Sequence, residues 1–417
     1  MNLKRMYQKM AYKKALFTLS ITAIYIVGTT ITLPGVNVQP LLALMAKNPN
    51  ASFALQMAGM SIDRLSLFSI GIGPWMSALI LWRVLTAIKL PRIQNLTIKQ
   101  AYQAKFIAAM IFGAIQGAGL ILQANMNNDS SQRFFLLLLI LEAGVALLIW
   151  LGNMNLVYGV GGSTIIVMAA MSRGFIQRIK TEVTFLNFKD TKTILIAVGV
   201  IIGVIIFSVF TLIFINGQLR LPVMRVLLDN RYETKSYFPI PVNPAGGMAF
   251  MYAFTIIALP QYIINIIQVY HPELKFLNTI DKSLSQDNIV GVSFLIVMVI
   301  LLSFAFAYVN VDTEQAAENM KKSGDYFPNV YPGKNTEKYL SDKLLRLAFV
   351  GALYSAAVMG LPLLIGIAYQ PIQQWTFIIT MWSMWLILIQ QVLIQFSSLY
   401  RRGIYSDFVK IKDKRGS

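Results

Sequence analysis

Across 417 residues, 56% are hydrophobic and only 13% are charged, and the mean hydropathy is +0.61. Soluble domains carry about 25% charged residues, so this composition excludes an ordinary soluble fold and points to a membrane protein. Cys is absent and His occurs once, as His271 before Pro272, which excludes a disulfide framework, a thiolate metal site and a histidine-based triad or metal cluster.

A helix that crosses a bilayer needs about 20 mostly apolar residues. Ten stretches fit that pattern: Ala15–Leu33, Ser66–Ile88, Ala104–Leu122, Phe134–Leu151, Gly159–Ile176, Ile194–Ile215, Gly247–Ile266, Ile289–Tyr308, Leu345–Ile365 and Thr376–Leu399. The fifth is short and glycine-rich at its start. Lys13 and Lys14 give the first a basic flank, but its apolar run is long and no clear small-residue cleavage site follows, so it reads as an uncleaved helix. The expected fold class is an all-α polytopic membrane protein with ten transmembrane helices.

The net charge of +18 could mark a nucleic-acid partner or the loops of a membrane protein, and placement decides. One side of the ten-span arrangement collects Lys4, Arg5, Lys9, Lys13 and Lys14, then Arg83, Lys89, Arg92, Lys99 and Lys105, then Arg220, Arg225, Arg231 and Lys235. The same side takes Lys321, Lys322, Lys334, Lys338, Lys343 and Arg346, and finally Arg401, Arg402, Lys410, Lys412, Lys414 and Arg415. That is 26 of the 36 basic residues. The positive-inside rule places this side, with both termini, in the cytoplasm, and no nucleic-acid partner is needed. One external loop, 172–193, runs against the rule with Arg173, Arg178, Lys180, Lys189 and Lys192.

Five spans per half is an odd number, so the second half enters the membrane inverted, as in inverted-repeat transporters and channels. The organisation expected is a cytoplasmic N-terminus (1–14), a first half (15–176), a second half (177–399) with cytoplasmic loops 217–243 and 309–344, and a cytoplasmic tail (400–417).

Three segments are unusual for simple spans. In 55–81, Gly71, Gly73 and Pro74 interrupt an apolar run just after Asp63 and Arg64, which reads either as a kinked helix or as a short external half-helix before the true span. In 236–254, two prolines and Asn243-Pro244 make an extended approach to the membrane, and Gly246 and Gly247 let helices or substrate come close. In 312–340, a helical first part leads to an ordered Pro/Gly turn, and long loops with their own structure are usually functional.

A rival class is a secondary transporter of a small solute, supported by Glu142 near the middle of the fourth span. A transporter needs several convergent polar groups, and only Gln116 joins Glu142 as a weaker candidate, so a neutral or hydrogen-bonded glutamate facing the bundle is the preferred reading. An intramembrane enzyme is disfavoured: a single His without Cys cannot make a zinc centre, and paired membrane aspartates are absent. No GxxxxGK[ST] loop occurs, so any ATP-driven work falls to a partner.

Several strings resemble the SecY family in order along nearly the whole chain. DTEQAAENMKKSG followed by FPNVYPGK is similar to that family's NPEEIADNLKKSG-type sequence and PGxRPGK turn. Val242–Gly246 matches VNPAG, Ser69–Leu81 resembles ALGIMPYISASII, Gly28–Val36 resembles GTHIPLPGV, and Trp150–Asn153 resembles WLGE. There are departures. Tyr331 replaces the arginine of RPGK, GVGGS (159–163) shortens a glycine-rich GIGNGIS, Arg83 replaces a glutamine, and the sixth-to-seventh loop is reduced. They point to the accessory branch of the family in Gram-positive bacteria.

The resemblance implies a protein-conducting channel in the bacterial cell membrane with no catalytic residues and no cofactor. An apolar pore ring maps onto Met76, Ile80, Ile166, Met251 and Met384, where flexible methionines suit a seal that must admit any side chain. A plug maps onto residues 55–66, with Leu55, Met57, Met60, Ile62, Asp63 and Arg64. A lateral gate would lie between the second and third spans and the seventh and eighth. Docking of a SecA-type motor ATPase maps onto Arg220, Arg225, Lys321, Lys322, Tyr331, Lys334 and Lys338. The other implied partners are SecE- and SecG-like small subunits, accessory Sec proteins, membrane lipids and a preprotein drawn from a restricted set of cell-surface glycoproteins.

Overall fold

A computed structural model describes residues 3–34, 65–87, 95–123, 131–185, 191–225, 236–270, 274–286 and 288–413. Helices α1 (Leu3–Thr30), α2 (Gly73–Ala87), α3 (Ile98–Gln123), α4 (Ser131–Tyr158), α5 (Thr164–Phe185) and α6 (Thr191–Asn216) come first. Short strands follow: β1 (Gln218–Pro222), β2 (Met224–Arg225) and β3 (Tyr237–Pro241). Then come α7 (Met248–Tyr270), α8 (Lys275–Leu284), α9 (Ile289–Asn310), α10 (Thr313–Ser323), β4 (Asp325–Tyr326), α11 (Lys334–Ala368) and α12 (Gln373–Asp413).

Each of the ten apolar stretches falls on a helix: α1 to α7, α9, α11 and α12. Among the described residues, six of these are long and apolar enough to cross a membrane, namely α1, α3, α4, α9, α11 and α12. Shorter apolar segments, Ile201–Asn216 and Met248–Gln261, lie in α6 and α7. Helix is the form such runs must take, because hydrocarbon offers no partner for a free backbone N–H or C=O. Their outward faces are apolar as well: Ile201, Ile202, Ile205, Ile206 and Val209 of α6 are all exposed, as expected where lipid tails are the solvent.

Two expectations about the elements are corrected. The second span does not begin at Ser66: residues 67–72 are turns and α2 starts at Gly73, with Pro74 in the first turn, where its missing N–H costs nothing. The basic segment 172–193 is not mainly a loop, since α5 continues to Phe185. The physical reason is its pattern: Phe175, Ile179 and Val183 recur at helical spacing, so the charged extension is amphipathic and keeps its helix.

The chain divides into two compact units. The first comprises Met1–Leu186, Phe254–Gly291 and Leu388–Ser417. In it α1 packs on α4 and α5, and α3 packs on α2 and α4. The chain returning after α1 pairs with it: Leu33 N–H donates to the Leu65 carbonyl at 2.9 Å and Leu67 N–H to that of Ile31 at 3.1 Å. The turn that follows is pressed into the helices. A Cβ on Gly144 of α4 would stand 2.0 Å from the Leu67 carbonyl oxygen, and one on Gly28 of α1 would stand 1.9 Å from the Phe68 ring. Phe68 in turn stacks on the buried Tyr25, ring centroids 6.0 Å apart.

The second unit comprises Asn187–Ala253 and Val292–Ile387. Phe214 of α6 stacks on Tyr354 of α11 at 3.8 Å, Tyr252 on Phe306 of α9 at 4.7 Å, and Trp382 Nε1 donates to Ser208 Oγ at 2.7 Å. The extended approach expected before the seventh span is β3, and Gly246, expected to let helices or substrate come close, has no helix against it. Nothing stands within 4 Å of a Cβ built on Gly246, whose φ of 59° is what demands glycine. The tight approach is at Gly351 of α11, where a Cβ would meet the Val242 carbonyl oxygen at 3.0 Å.

Candidate functional site

The two segments expected to form separate loops fold as one body within the second unit. β1 and β3 make an antiparallel hairpin with Leu219 opposite Ile240. β2 leaves that hairpin to pair with β4, Met224 opposite Tyr326 and Arg225 opposite Asp325. The Arg225 guanidinium meets the Asp325 carboxylate at 3.3 Å across this junction. Beneath it Leu221, Val223, Ile240, Ala307, Met320, Phe327, Leu340, Leu344 and Ala348 share one buried cluster. A strand too short to stand alone is thus held by a core drawn from β1, β3, α9, α10 and α11.

α10 is set by its ends. Asp312 caps its start by accepting from Gln315 N–H at 2.9 Å, and Gly324, at φ 74°, returns its N–H to the Met320 carbonyl. Lys321 and Lys322 fall in the last turn, where cations favour the helix dipole. The polypeptide then turns at Phe327–Val330, with Asn329 at φ 61°, and passes Tyr331-Pro332-Gly333 into α11. Thr336 Oγ1 donates to the Tyr331 carbonyl at 3.1 Å, which pins that turn.

All seven positions mapped for docking are carried on this body. Arg220 lies over the Tyr237 ring at 4.9 Å. Lys322 pairs with Glu318 at 2.9 Å on an open surface, where solvent screening leaves such a contact little net worth. Lys321, Lys334 and Lys338 are exposed. The Tyr331 side chain is 80% exposed, unusual for so large a ring. Lys334 and Lys338 are not loop residues: they occupy successive turns at the start of α11. The strand pairing of β2 with β4 was missed from the sequence, because two residues per strand carry no periodic signal.

The five ring positions are divided between the units. Met76, Ile80 and Ile166 belong to the first; Met251 and Met384 to the second. Met76, Ile166, Met251 and Met384 are buried, and Ile80 is half-buried one turn beyond Met76. Ile166 is positioned by the shortened glycine turn. Gly161 and Gly162 have φ of 83° and 52°, and Asn155 Nδ2 donates to the carbonyls of Val160 at 2.8 Å and Gly162 at 2.9 Å. Thr18 of α1 donates to Asn155 Oδ1 at 2.9 Å and accepts from Val160 N–H at 2.8 Å. The plug positions Leu55, Met57, Met60, Ile62, Asp63 and Arg64 lie outside the described residues.

Glu142 faces α3, where Gly113 leaves room for it: a Cβ there would stand 2.6 Å from Oε1. Its carboxyl oxygens are shielded and have no hydrogen-bond partner among the described residues. Gln116, one turn further along α3, is buried.

A mostly helical membrane protein with this loop-built body has the fold of a protein-conducting channel. The SecY family model matches residues 66–396, and the chain belongs to the SecY family. It is 33% identical over 368 residues to the accessory Sec system protein translocase subunit SecY2 of Leuconostoc gelidum subsp. gasicomitatum, a match covering 85% of this chain and 86% of that one. It is 32% identical to the subunit of the same name from Streptococcus gordonii, covering 87% and 89%. Among solved structures, a protein-conducting channel aligns with a TM-score of 0.66 at 15% identity, covering 95% of this chain and 94% of that chain. Sec61 from a canine ribosome–channel complex aligns with 0.61 at 15% identity, with the same coverage.

Proposed function

We propose that the chain is the central pore subunit of a Sec-type translocase of the accessory kind, passing preproteins through the bacterial membrane under the drive of a SecA-type ATPase. The observation that carries the motor role is the joined body of the second unit. Strand pairing and a shared core carry Arg220, Arg225, Lys321, Lys322, Tyr331, Lys334 and Lys338 on one ordered body. In this reading ten spans form two inverted five-helix halves (15–176 and 177–399), both termini are cytoplasmic, and SecE- and SecG-like subunits complete the channel. Met76, Ile80, Ile166, Met251 and Met384 form its apolar ring and residues 55–66 its plug. All five ring side chains are apolar and uncharged, as a seal against ions requires. Signal helices leave sideways into lipid, a transfer driven by their own apolar surface.

The test is the pair Lys334→Glu with Lys338→Glu. Both side chains are exposed, so the fold tolerates the change, while a docking surface that relies on them loses affinity about tenfold or more, some 1.4 kcal/mol. Purified motor should bind membranes weakly and export should fail, with the protein still inserted. Tyr331→Arg, also exposed, should impair work with the chain's own motor, whose surface matches tyrosine. Unchanged binding and export in the double reversal would remove the docking role.

A further inference from the structure

Between α7 and α9 lies α8, a ten-residue helix that none of the roles above uses. Its sequence, KFLNTIDKSL, sorts sharply at helical spacing: Phe276, Leu277, Ile280 and Leu284 fall on one side, and Lys275, Asn278, Thr279 and Lys282 on the other. Only part of the apolar side meets protein. Leu277 is buried at 6% exposure, whereas Phe276 is 58% exposed, Ile280 42% and the preceding Leu274 39%.

Its place along the membrane normal is fixed by its neighbours. Four residues separate it from α7 and four from α9. Gln261 of α7, next to Pro260 within that helix, donates to the Leu284 carbonyl at 3.4 Å. A Cβ on Gly291 would stand 2.0 Å from the Ser285 carbonyl oxygen, so the end of α8 rests directly on the first turn of α9. That first turn presents Ile289 and Val290 at 62% and 59% exposure, at the point where an apolar span begins. Exposed apolar side chains thus occur both on α8 and on the first turn of α9, against which the end of α8 rests.

We propose that α8 is an interfacial helix that seats Phe276 and Ile280 among lipid headgroups and upper acyl chains and so fixes the ends of α7 and α9 at the bilayer surface. A short amphipathic helix with lysines on its polar side has the composition that binds there, its apolar face sunk by roughly 5–10 Å. The bilayer is the occupant favoured because the neighbouring Ile289 and Val290 are exposed and open an apolar span that a membrane would cover. The inference requires only that the chain be membrane-embedded, and stands apart from its role in transport.

The chain contains no Cys, so single cysteines can carry a nitroxide without other changes. Phe276→Cys, Ile280→Cys and Thr279→Cys would be labelled in the full chain, reconstituted into phosphatidylcholine–phosphatidylglycerol vesicles. Accessibility to oxygen, which partitions into lipid, is then compared with accessibility to a water-soluble nickel chelate. Leu147→Cys on α4 provides the lipid reference. Positions 276 and 280 should follow Leu147, favouring oxygen, while Thr279 favours nickel. Nickel access at 276 and 280 equal to that at 279 would show a helix standing in water and overturn the proposal. Shielding of both positions from both probes would show a protein partner or second copy in place of lipid, and would overturn it equally. Ile280→Cys decides the matter alone should Phe276→Cys fail to insert.

Discussion

Gly144 shows how much one missing methyl can decide. A Cβ there would stand 2.0 Å from the Leu67 carbonyl oxygen, and a backbone atom cannot swing aside as a side chain can. Gly144→Ala should therefore destabilise the protein by about 1–3 kcal/mol, as overpacking does, and lower its melting temperature in detergent. Gly199→Ala is the control: nothing stands within 4 Å of its Cβ, and alanine favours helix, so the melting temperature should hold or rise slightly. The ring residues are tested at the same scale. Met76→Cys and Met251→Cys should each crosslink to a preprotein trapped in transit, and Leu147→Cys, 39% exposed on α4, should not. Equal labelling at all three would end the ring assignment. The identity of these positions came from the family resemblance. Their burial was not legible, because an apolar residue in an apolar span looks the same whether it faces protein, pore or lipid.

Among the elements, the platform made by β1 to β4 with α10 and the start of α11 has most of its stability in one cluster rather than in its ion pairs. Arg225–Asp325 is partly exposed and contributes about 0–1 kcal/mol. Phe327 is 1% exposed, packed edge-on against Phe238 at 6.4 Å and tilted against Tyr339 at 5.3 Å. Phe327→Ala should cost about 3–5 kcal/mol locally. The expected phenotype is selective: protease cleavage appears at the Phe327–Val330 turn and motor binding is lost, while the apolar helices remain inserted. Arg225→Ala should leave the protease pattern unchanged. If Phe327→Ala binds motor normally, the cluster is not what presents the docking surface. The helical part and the turn were readable beforehand from DTEQAAENMKKSG and FPNVYPGK, since a capping Asp, a closing Gly and a Pro-Gly pair are local signals. The junction of β2 with β4 was not, since its partners are about 100 residues apart and each contributes two residues.

For the whole molecule, the prediction concerns topology. The asymmetry of 26 among 36 basic residues predicts the side of each loop, and reporter fusions check it: Asn127 and Asn187 should read external, Asp229 and Ser323 cytoplasmic. One compartment for both Asn187 and Asp229 would break the ten-span arrangement, because α6 would then fail to cross. The segment 172–193, which ran against the charge rule, loses some of its force as an exception. α5 continues through Arg173, Arg178 and Lys180 to Phe185, and Arg173 donates to the Thr29 hydroxyl of α1, so one of its cations is engaged by the protein.

The sequence by itself determined the membrane class, the helix on each of the ten apolar stretches and the SecY family. These follow from hydropathy, from the backbone's need for internal hydrogen bonds in lipid, and from local strings that do not depend on distant contacts. Only the tertiary structure decided where α2 begins, that Gly28, Gly144 and Gly351 rather than Gly246 are the points of close approach, and that two loops form one body. It alone separated the buried Leu277 of α8 from the exposed Phe276 beside it. Each of those outcomes depends on which remote atoms come within a few ångströms, and the order of residues along a chain of similar apolar helices does not encode that distance locally.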